Sequence, residues 1–142
     1  TGVQTCALPI WDVMIDMYEK YGYCVDSITA MDFPGLEGMD KMKAMLSNLR
    51  ENPLKDIAGY KVVKIRDYSN DTILDVESGK VEPTGLPASN VLYYELEGGA
   101  WVCVRPSGTE PKIKFYYGVK ASSMDEAQAE SAKFAEWAKA QA

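Results

Sequence analysis

Residues 105–120 read RPSGTEPKIKFYYGVK, and the two halves of this stretch follow different patterns. The first half, 105–111, holds one arginine, two hydroxyl residues, one glycine and two prolines, which restrict the backbone. The second half alternates with a period of two, as a strand does. A strand there would place Lys112 and Lys114 on one face and four apolar residues on the other, namely Ile113, Phe115, Tyr117 and Val119. The stretch therefore predicts a loop that leads into a strand with one basic and one buried face.

The side chains of 105–111 suit an oxyanion. Arg105 offers a planar fork that can bind two phosphate oxygens, and Ser107 and Thr109 add hydroxyl donors. Gly108 lets its N–H approach a ligand without a Cβ in the way. Serine, glycine and proline are also ordinary turn residues, so the residue types alone leave a tight connection between two strands as the alternative. The basic face of the following strand favours the oxyanion site, with a phosphate ester as the best ligand.

The chain has 142 residues, enough for one domain with a buried core, and a net charge of −6 from 15 basic and 21 acidic residues. This charge argues against a nucleic-acid or anionic-membrane surface, so a phosphate site must be a local positive island. Arg105, Lys112 and Lys114 form such an island, with Glu110 offsetting it. No apolar run approaches the roughly 20 residues that span a bilayer, and no basic segment followed by an apolar one opens the chain, so we expect a cytoplasmic location.

The chain contains no histidine, which removes histidine-based general catalysis and the commonest metal ligand. The three cysteines, Cys6, Cys24 and Cys103, are an odd number without CxxC spacing, so neither a disulfide framework nor a zinc site is indicated. Cys103 stands in an apolar run and is predicted to be a small core residue. We therefore expect no metal-binding residues in this chain.

Hydrophobic periodicity and turn residues divide the chain into predicted helices and strands. Helices are predicted over 11–21, 37–50 and 123–140, the last opened by a capping box at 123–126. Strands are predicted over 59–68, 90–96, 100–105 and 112–119, and a long polar loop over 69–89 with a short strand near 73–76. Gly98 and Gly99 make 90–105 a hairpin. The order predicts an α+β fold, an antiparallel sheet of about four strands with helices packed on one face.

The run RPSGTEPKIKFY at 105–116 resembles the phosphate-binding loop in the C-terminal domain of the α-D-phosphohexomutases, the phosphoglucomutase/phosphomannomutase superfamily. Two upstream segments also resemble that domain, GLEGM at 35–39 continuing to LRENP at 49–53, and IAGYKVV at 57–63. A match of this length is far more specific than a lone glycine motif. The resemblance covers residues 11–142 and implies a TATA-binding-protein-like fold with the loop at a sheet end.

The resemblance implies an enzyme of four domains and divides this chain into three parts. Residues 1–10, TGVQTCALPI, fit no periodic pattern and resemble a translated sequencing-adaptor read, so we expect a non-native leader there. Residues 11–33 correspond to the tail of the preceding domain and the hinge. Residues 34–142 correspond to the C-terminal phosphate-binding domain.

The same resemblance implies a reaction in which a phosphoryl group moves between the 1- and 6-positions of a hexose. A phosphoserine in the first domain, beside a Mg²⁺ ion held by aspartates, exchanges phosphate with the sugar through a bisphosphate intermediate. The fourth domain clamps the phosphate that is not reacting. The implied partners are a phosphosugar and the N-terminal domains of the same enzyme, with no nucleic acid and no membrane.

Carried over residue by residue, the family's phosphate ligands fall on the bidentate Arg105, the hydroxyl donors Ser107 and Thr109, and the backbone donor Gly108. Lys114 stands where many members have a basic residue, often arginine, so here it offers a point charge instead of a fork. Lys112 is a weaker candidate for the same phosphate. Glu110 is expected to brace Arg105 or a loop amide.

No DxDGD-like run occurs in the chain, and nothing near Ser107 in the sequence could serve as its base. The nucleophilic serine, the metal-binding aspartates and the sugar-specificity loop are therefore expected in other domains. We expect no catalytic residue in this chain and no activity from it alone. Two alternatives stay open, a phosphopentomutase or phosphoglucosamine mutase, which share the loop, and a stand-alone anion-binding module without catalytic partner domains.

Overall fold

Three helices and eight strands form along residues 10–141, the part of the chain that the computed structural model describes. The helices are α1 (Ile10–Tyr21), α2 (Gly38–Glu51) and α3 (Met124–Lys139). The strands are β1 (Tyr23–Asp32), β2 (Asp56–Ile57), β3 (Tyr60–Asp67), β4 (Thr72–Asp75), β5 (Val81–Glu82), β6 (Leu92–Leu96), β7 (Trp101–Pro106) and β8 (Lys112–Ala121). Within this range no helix has the length and apolarity of a membrane span. Apart from Ile10, the predicted leader lies outside the described residues.

The strands form one antiparallel sheet in the order β1-β8-β7-β6-β3-β4-β5, with β2 paired to β3 off this path. The α+β class is confirmed, whereas the predicted count of about four strands is too low. The four longer predicted strands are the central β3, β6, β7 and β8, and the short strand predicted near 73–76 forms as β4. The sheet also gains β1, which pairs with β8 at ten positions, and the short β2 and β5. These short strands form by backbone pairing in polar segments. Such segments lack the long apolar alternation from which a strand is predicted. The predicted domain division at residue 33 stays a prediction.

One face of the sheet carries the hydrophobic core. β8 turns four alternate side chains inward, and all are buried as the alternation predicts: Ile113, Phe115, Tyr117 and Val119. α2 and α3 contribute buried side chains to the same core, so the helices pack on one face of the sheet. The ring of Phe134 in α3 is fully buried, with its centre 5.8 Å from that of Tyr117 and 5.3 Å from that of Tyr60. The core thus fixes which face of β8 is left open.

α3 begins with a cap that differs in one detail from the predicted capping box. Ser123 Oγ accepts a hydrogen bond from the Glu126 backbone N–H at 3.2 Å, as expected of an N-cap. The Glu126 carboxylate accepts from the backbone N–H and hydroxyl of Ser122, instead of from the N–H of Ser123. These bonds hold the pKa of the Glu126 carboxyl below its usual value. Trp137 of α3 is only partly buried against the core.

The first residue of α2, Gly38, packs against the segment after β1 and the segment before β8. The Phe33 backbone N–H donates to the carbonyl of Pro111 at 2.8 Å, which ties the segment after β1 to the residue before β8. Gly38 packs on this junction so closely that a Cβ would lie 1.9 Å from the Phe33 carbonyl oxygen and 3.2 Å from Pro111 Cβ. Because the nearest atom belongs to the backbone, a side chain fits only if the backbone shifts. Gly38 therefore couples α2 to the start of β8.

We predict that Gly38→Ala destabilises the fold by about 1–3 kcal/mol, the usual cost of overpacking. Helix propensity alone predicts the opposite sign, since alanine is the better helix former. Urea unfolding followed by circular dichroism gives the free energy of unfolding. Ser47→Ala, at an exposed position of α2, is the control and should leave that free energy unchanged or slightly raised. A stabilised Gly38→Ala variant would contradict the close contact.

Candidate anion-binding site

The predicted loop lies at the end of two inner strands of the sheet. β7 has β8 and β6 as neighbours, and β8 has β1 and β7. The pairing of β7 with β8 continues to Pro106 and Ile113, and beyond it the Ser107 N–H donates to the carbonyl of Lys112 at 2.8 Å. The loop is thus closed at its base by a main-chain hydrogen bond. Two strands with neighbours on both sides hold it in place.

Arg105 and Lys114 are direct cross-strand partners at the base of the loop. Both side chains are exposed, on the face of the sheet opposite the core. Neither makes an ion pair within residues 10–141, whereas Arg66 of β3 pairs with Glu95. Like charges directly opposite each other destabilise an antiparallel pair. Their placement therefore costs stability in the free protein and favours an anion between the two side chains.

Ser107 organises the backbone of the loop. Its Oγ accepts from the backbone N–H of Glu110 at 3.3 Å and, at the limit of hydrogen-bond distance, from that of Thr109 at 3.5 Å. Hydrogen bonds of this kind bend the chain into a turn. They use the lone pairs of the hydroxyl and leave its hydrogen free to be donated. Ser107 can therefore shape the loop and donate to an anion at the same time.

Gly108 and Thr109 form the exposed tip of the loop. The φ of Gly108 is outside the left-handed region, and a Cβ on it would meet no other atom within 4 Å. The fold of the described residues therefore does not require glycine at this position. The same open space lets a ligand approach the backbone N–H of Gly108 closely.

Lys112 differs from the other two cations because carboxylates surround it. Its Nζ lies 3.2 Å from Asp32 Oδ1 and 3.9 Å from Glu110 Oε2. The hydrogen bond to Asp32, and then the charges of Asp32 and Glu110, raise the pKa of the Lys112 ammonium above its usual value. Glu110, expected to brace Arg105 or a loop amide, lies nearest to this lysine. Lys112 is thus charged but partly neutralised by its neighbours.

A cleft of about 250 Å³ opens beside the loop, close to the lower end of the range for small-ligand pockets, about 300–1,000 Å³. Four predicted phosphate ligands line it, namely Arg105, Ser107, Gly108 and Lys114, together with Pro106, Glu110 and Tyr116. Thr109 and Lys112 lie next to these residues in the chain but do not line the cleft. The fold therefore collects most of the predicted ligands around one space.

The sequence prediction missed Tyr116. The period of two that puts Lys112 and Lys114 on the open face of β8 also puts Tyr116 there, so the signal was present. Cys103, predicted to be a core residue, is half-buried on this open face as the cross-strand partner of Tyr116. Burial raises the pKa of its thiol, which favours the protonated, unreactive form. Within residues 10–141 no group of three or more side chains suited to a metal ion comes together.

The fold and the loop together define an α+β domain with cations and hydrogen-bond donors clustered at one end of its sheet. The model of the family described as "Phosphoglucomutase/phosphomannomutase, C-terminal domain" matches residues 46–136. This chain belongs to that family, as the resemblance of the loop predicts. The matched range begins inside α2 and ends inside α3, so it includes the loop and its two strands.

Two known relatives are similar to most of this chain and are much longer than it. The chain is 37% identical over 111 residues to a phosphoglucomutase of Staphylococcus saprophyticus, covering 78% of this chain and 20% of the relative. It is 33% identical over 115 residues to a phosphoglucomutase of Staphylococcus aureus, covering 81% of this chain and 21% of the relative. The chain therefore spans about a fifth of the length of these relatives.

A solved structure supports the fold. The open form of the exocytosis-sensitive phosphoprotein pp63/parafusin, a phosphoglucomutase from Paramecium, superimposes with a TM-score of 0.53. The superposition covers 93% of this chain and 23% of that protein at 18% sequence identity. At this identity the likeness concerns the fold alone.

We predict that Lys114→Gln raises the urea midpoint of unfolding at low salt, because it removes the repulsion from Arg105. Lys120→Gln is the matched control, since it removes the same charge from the same face of β8, where the partner is the uncharged Cys24. The difference between the two variants should shrink at high salt, which screens exposed charges. Equal midpoints for both variants at low salt would show that the pair carries no repulsion.

Proposed function

We propose that this chain is the part of a phosphohexomutase that clamps the non-reacting phosphate of a hexose phosphate while a phosphoryl group moves between the 1- and 6-positions. The observation that carries the proposal is the cross-strand pair of Arg105 and Lys114, exposed and without an ion-pair partner among the described residues, beside a loop of hydrogen-bond donors. Phosphate satisfies both requirements of such a site, since it brings negative charge and several acceptor oxygens. The phosphoglucomutase relatives support a sugar phosphate as the source of that group.

Each residue has a distinct part in the proposed clamp. The Arg105 guanidinium binds two phosphate oxygens as a planar fork, and Lys114 adds a compact positive charge from the neighbouring strand. Ser107 donates its free hydroxyl hydrogen, and Gly108 donates its backbone N–H from the tip of the loop. Thr109 contributes a further hydroxyl, and Lys112 lends long-range positive charge that Asp32 and Glu110 reduce. Charge-assisted bonds of this type are the stronger class of protein hydrogen bonds.

A clamp of this kind would assist phosphoryl transfer by positioning the sugar. Holding one phosphate fixes where the other end of the sugar lies, and orientation supplies a large share of the rate enhancement in such reactions. The phosphoserine and the Mg²⁺ ion are assigned, by resemblance, to other domains of the complete enzyme. We assign no step of the transfer to the described residues of this chain. We propose that the chain alone is inactive.

The relatives favour a glucose phosphate over the phosphates of pentose or glucosamine, because the staphylococcal relatives are named phosphoglucomutases. The share of each relative that the chain covers also favours a domain of a larger enzyme over a stand-alone anion-binding module. The remaining domains of that enzyme are then its partners. We further propose a cytoplasmic location, as expected from the sequence.

We predict that Arg105→Ala weakens binding of inorganic phosphate to this chain by at least about tenfold, because it removes charge-assisted hydrogen bonds. Arg105→Lys should recover only part of the affinity, since it restores the charge without the fork. Phosphorus-31 NMR titration measures the dissociation constants. Lys120→Ala, which removes an exposed cation from the same face of β8, is the charge-matched control and should bind phosphate almost as the parent chain does. Equal losses in the Arg105→Ala and Lys120→Ala variants would reject the assignment of Arg105.

A further inference from the structure

Tyr116 lines the cleft next to Arg105 and Lys114. It follows Lys114 by two residues on the open face of β8, and its cross-strand partner is Cys103, two residues before Arg105 on β7. The side chain is half-buried and lines the same cleft as Arg105, Ser107 and Lys114. A tyrosine so placed presents both a ring and a hydroxyl to whatever fills the cleft.

The hydroxyl of Tyr116 is available to a ligand. The neighbouring Tyr117 faces the core, where its hydroxyl is hydrogen-bonded to Thr29 Oγ1 at 2.9 Å, and the hydroxyl of Tyr60 donates to Glu130 at 3.2 Å. No side-chain hydrogen bond of Tyr116 forms within the described range 10–141. A tyrosine hydroxyl can both donate and accept, which matches the hydroxyl groups of a sugar.

Tyr116 lies further along the strand from the loop than the residues proposed to bind the phosphate. The loop donors and the pair of Arg105 and Lys114 surround the end of the sheet, where the phosphate is proposed to bind. Tyr116 lies two residues further from the loop, which is about 7 Å along a strand. A phosphate ester bound at the loop would therefore place its carbon skeleton near Tyr116, whereas the phosphate oxygens would stay near Arg105 and Lys114.

We propose that Tyr116 is a substrate-positioning contact, whose hydroxyl forms a hydrogen bond with a hydroxyl group of the hexose while the loop holds the phosphate. The proposal rests on the proposed function, since it needs a phosphosugar in the cleft. It assigns to this domain a contact with the sugar in addition to its contacts with the phosphate. Tyr116 would therefore select sugar phosphates over phosphate alone.

The test compares two ligands and two matched variants of this chain. Tyr116→Phe removes only the hydroxyl, and Tyr93→Phe removes one from another half-buried tyrosine of the same open face. Tyr93 stacks on Trp101, with ring centres 5.8 Å apart, and phenylalanine preserves that stack. Dissociation constants for inorganic phosphate and for glucose 6-phosphate are measured by phosphorus-31 NMR, and urea unfolding checks that each variant folds as the parent does.

The parent chain should bind glucose 6-phosphate more tightly than phosphate. Tyr116→Phe should raise the dissociation constant for glucose 6-phosphate roughly three- to tenfold, the effect of losing one neutral hydrogen bond, and leave the dissociation constant for phosphate unchanged. Tyr93→Phe should change neither dissociation constant. Equal loss for both ligands would place Tyr116 on the phosphate and overturn the inference, as would no loss for either. A parent chain that binds neither ligand would reject the proposed function itself, and the inference would fall with it.

Discussion

The antiparallel pairing of β7 with β8 is the interaction on which both the core and the candidate site depend. Because successive residues of a strand face opposite sides, one register places Ile113 and Phe115 in the core and Lys114 and Tyr116 on the open face. A slip of one residue would exchange the two sets, burying charges and exposing the apolar side chains. The core therefore enforces the register, and the register sets Lys114 opposite Arg105.

The sequence predicts the parts of the molecule in which local pattern and tertiary packing agree. Strand β8, the glycine hairpin between β6 and β7 and the N-cap at Ser123 each follow from short-range signals, and all form as expected. The fold class follows from their order. The number of strands does not follow from that order. The segment 23–32 alternates only loosely in sequence, and its pairing with β8 is what identifies it as a strand. The glycine at 38 is likewise explained only by its contact with Phe33, which no local pattern encodes.

The candidate site shows the same division. Residue types at 105–111 and the family resemblance predict an anion loop, and the fold places most of its predicted ligands around one cleft. The alternation puts Lys112 and Lys114 on one face of β8, and only the family resemblance ranks Lys112 as the weaker candidate. In the structure Lys112 is held by Asp32 of β1, whereas Lys114 makes no ion pair within residues 10–141. That difference arises from pairing between strands that are distant in the chain. Two like charges that face each other across β7 and β8 are unfavourable for the fold without a ligand, and such a cost is common where stability and function compete.

We propose that a phosphate binds at the loop end of β7 and β8, on the open face of the sheet. The most direct measurement is a map of backbone amide shifts as inorganic phosphate and then glucose 1-phosphate are added to the nitrogen-15-labelled chain. We expect shifts centred on residues 105–114, largest at Gly108 and its neighbours, with the core face of the sheet unchanged. Saturable shifts centred elsewhere, or no shift at residues 105–114 with either ligand, would contradict it.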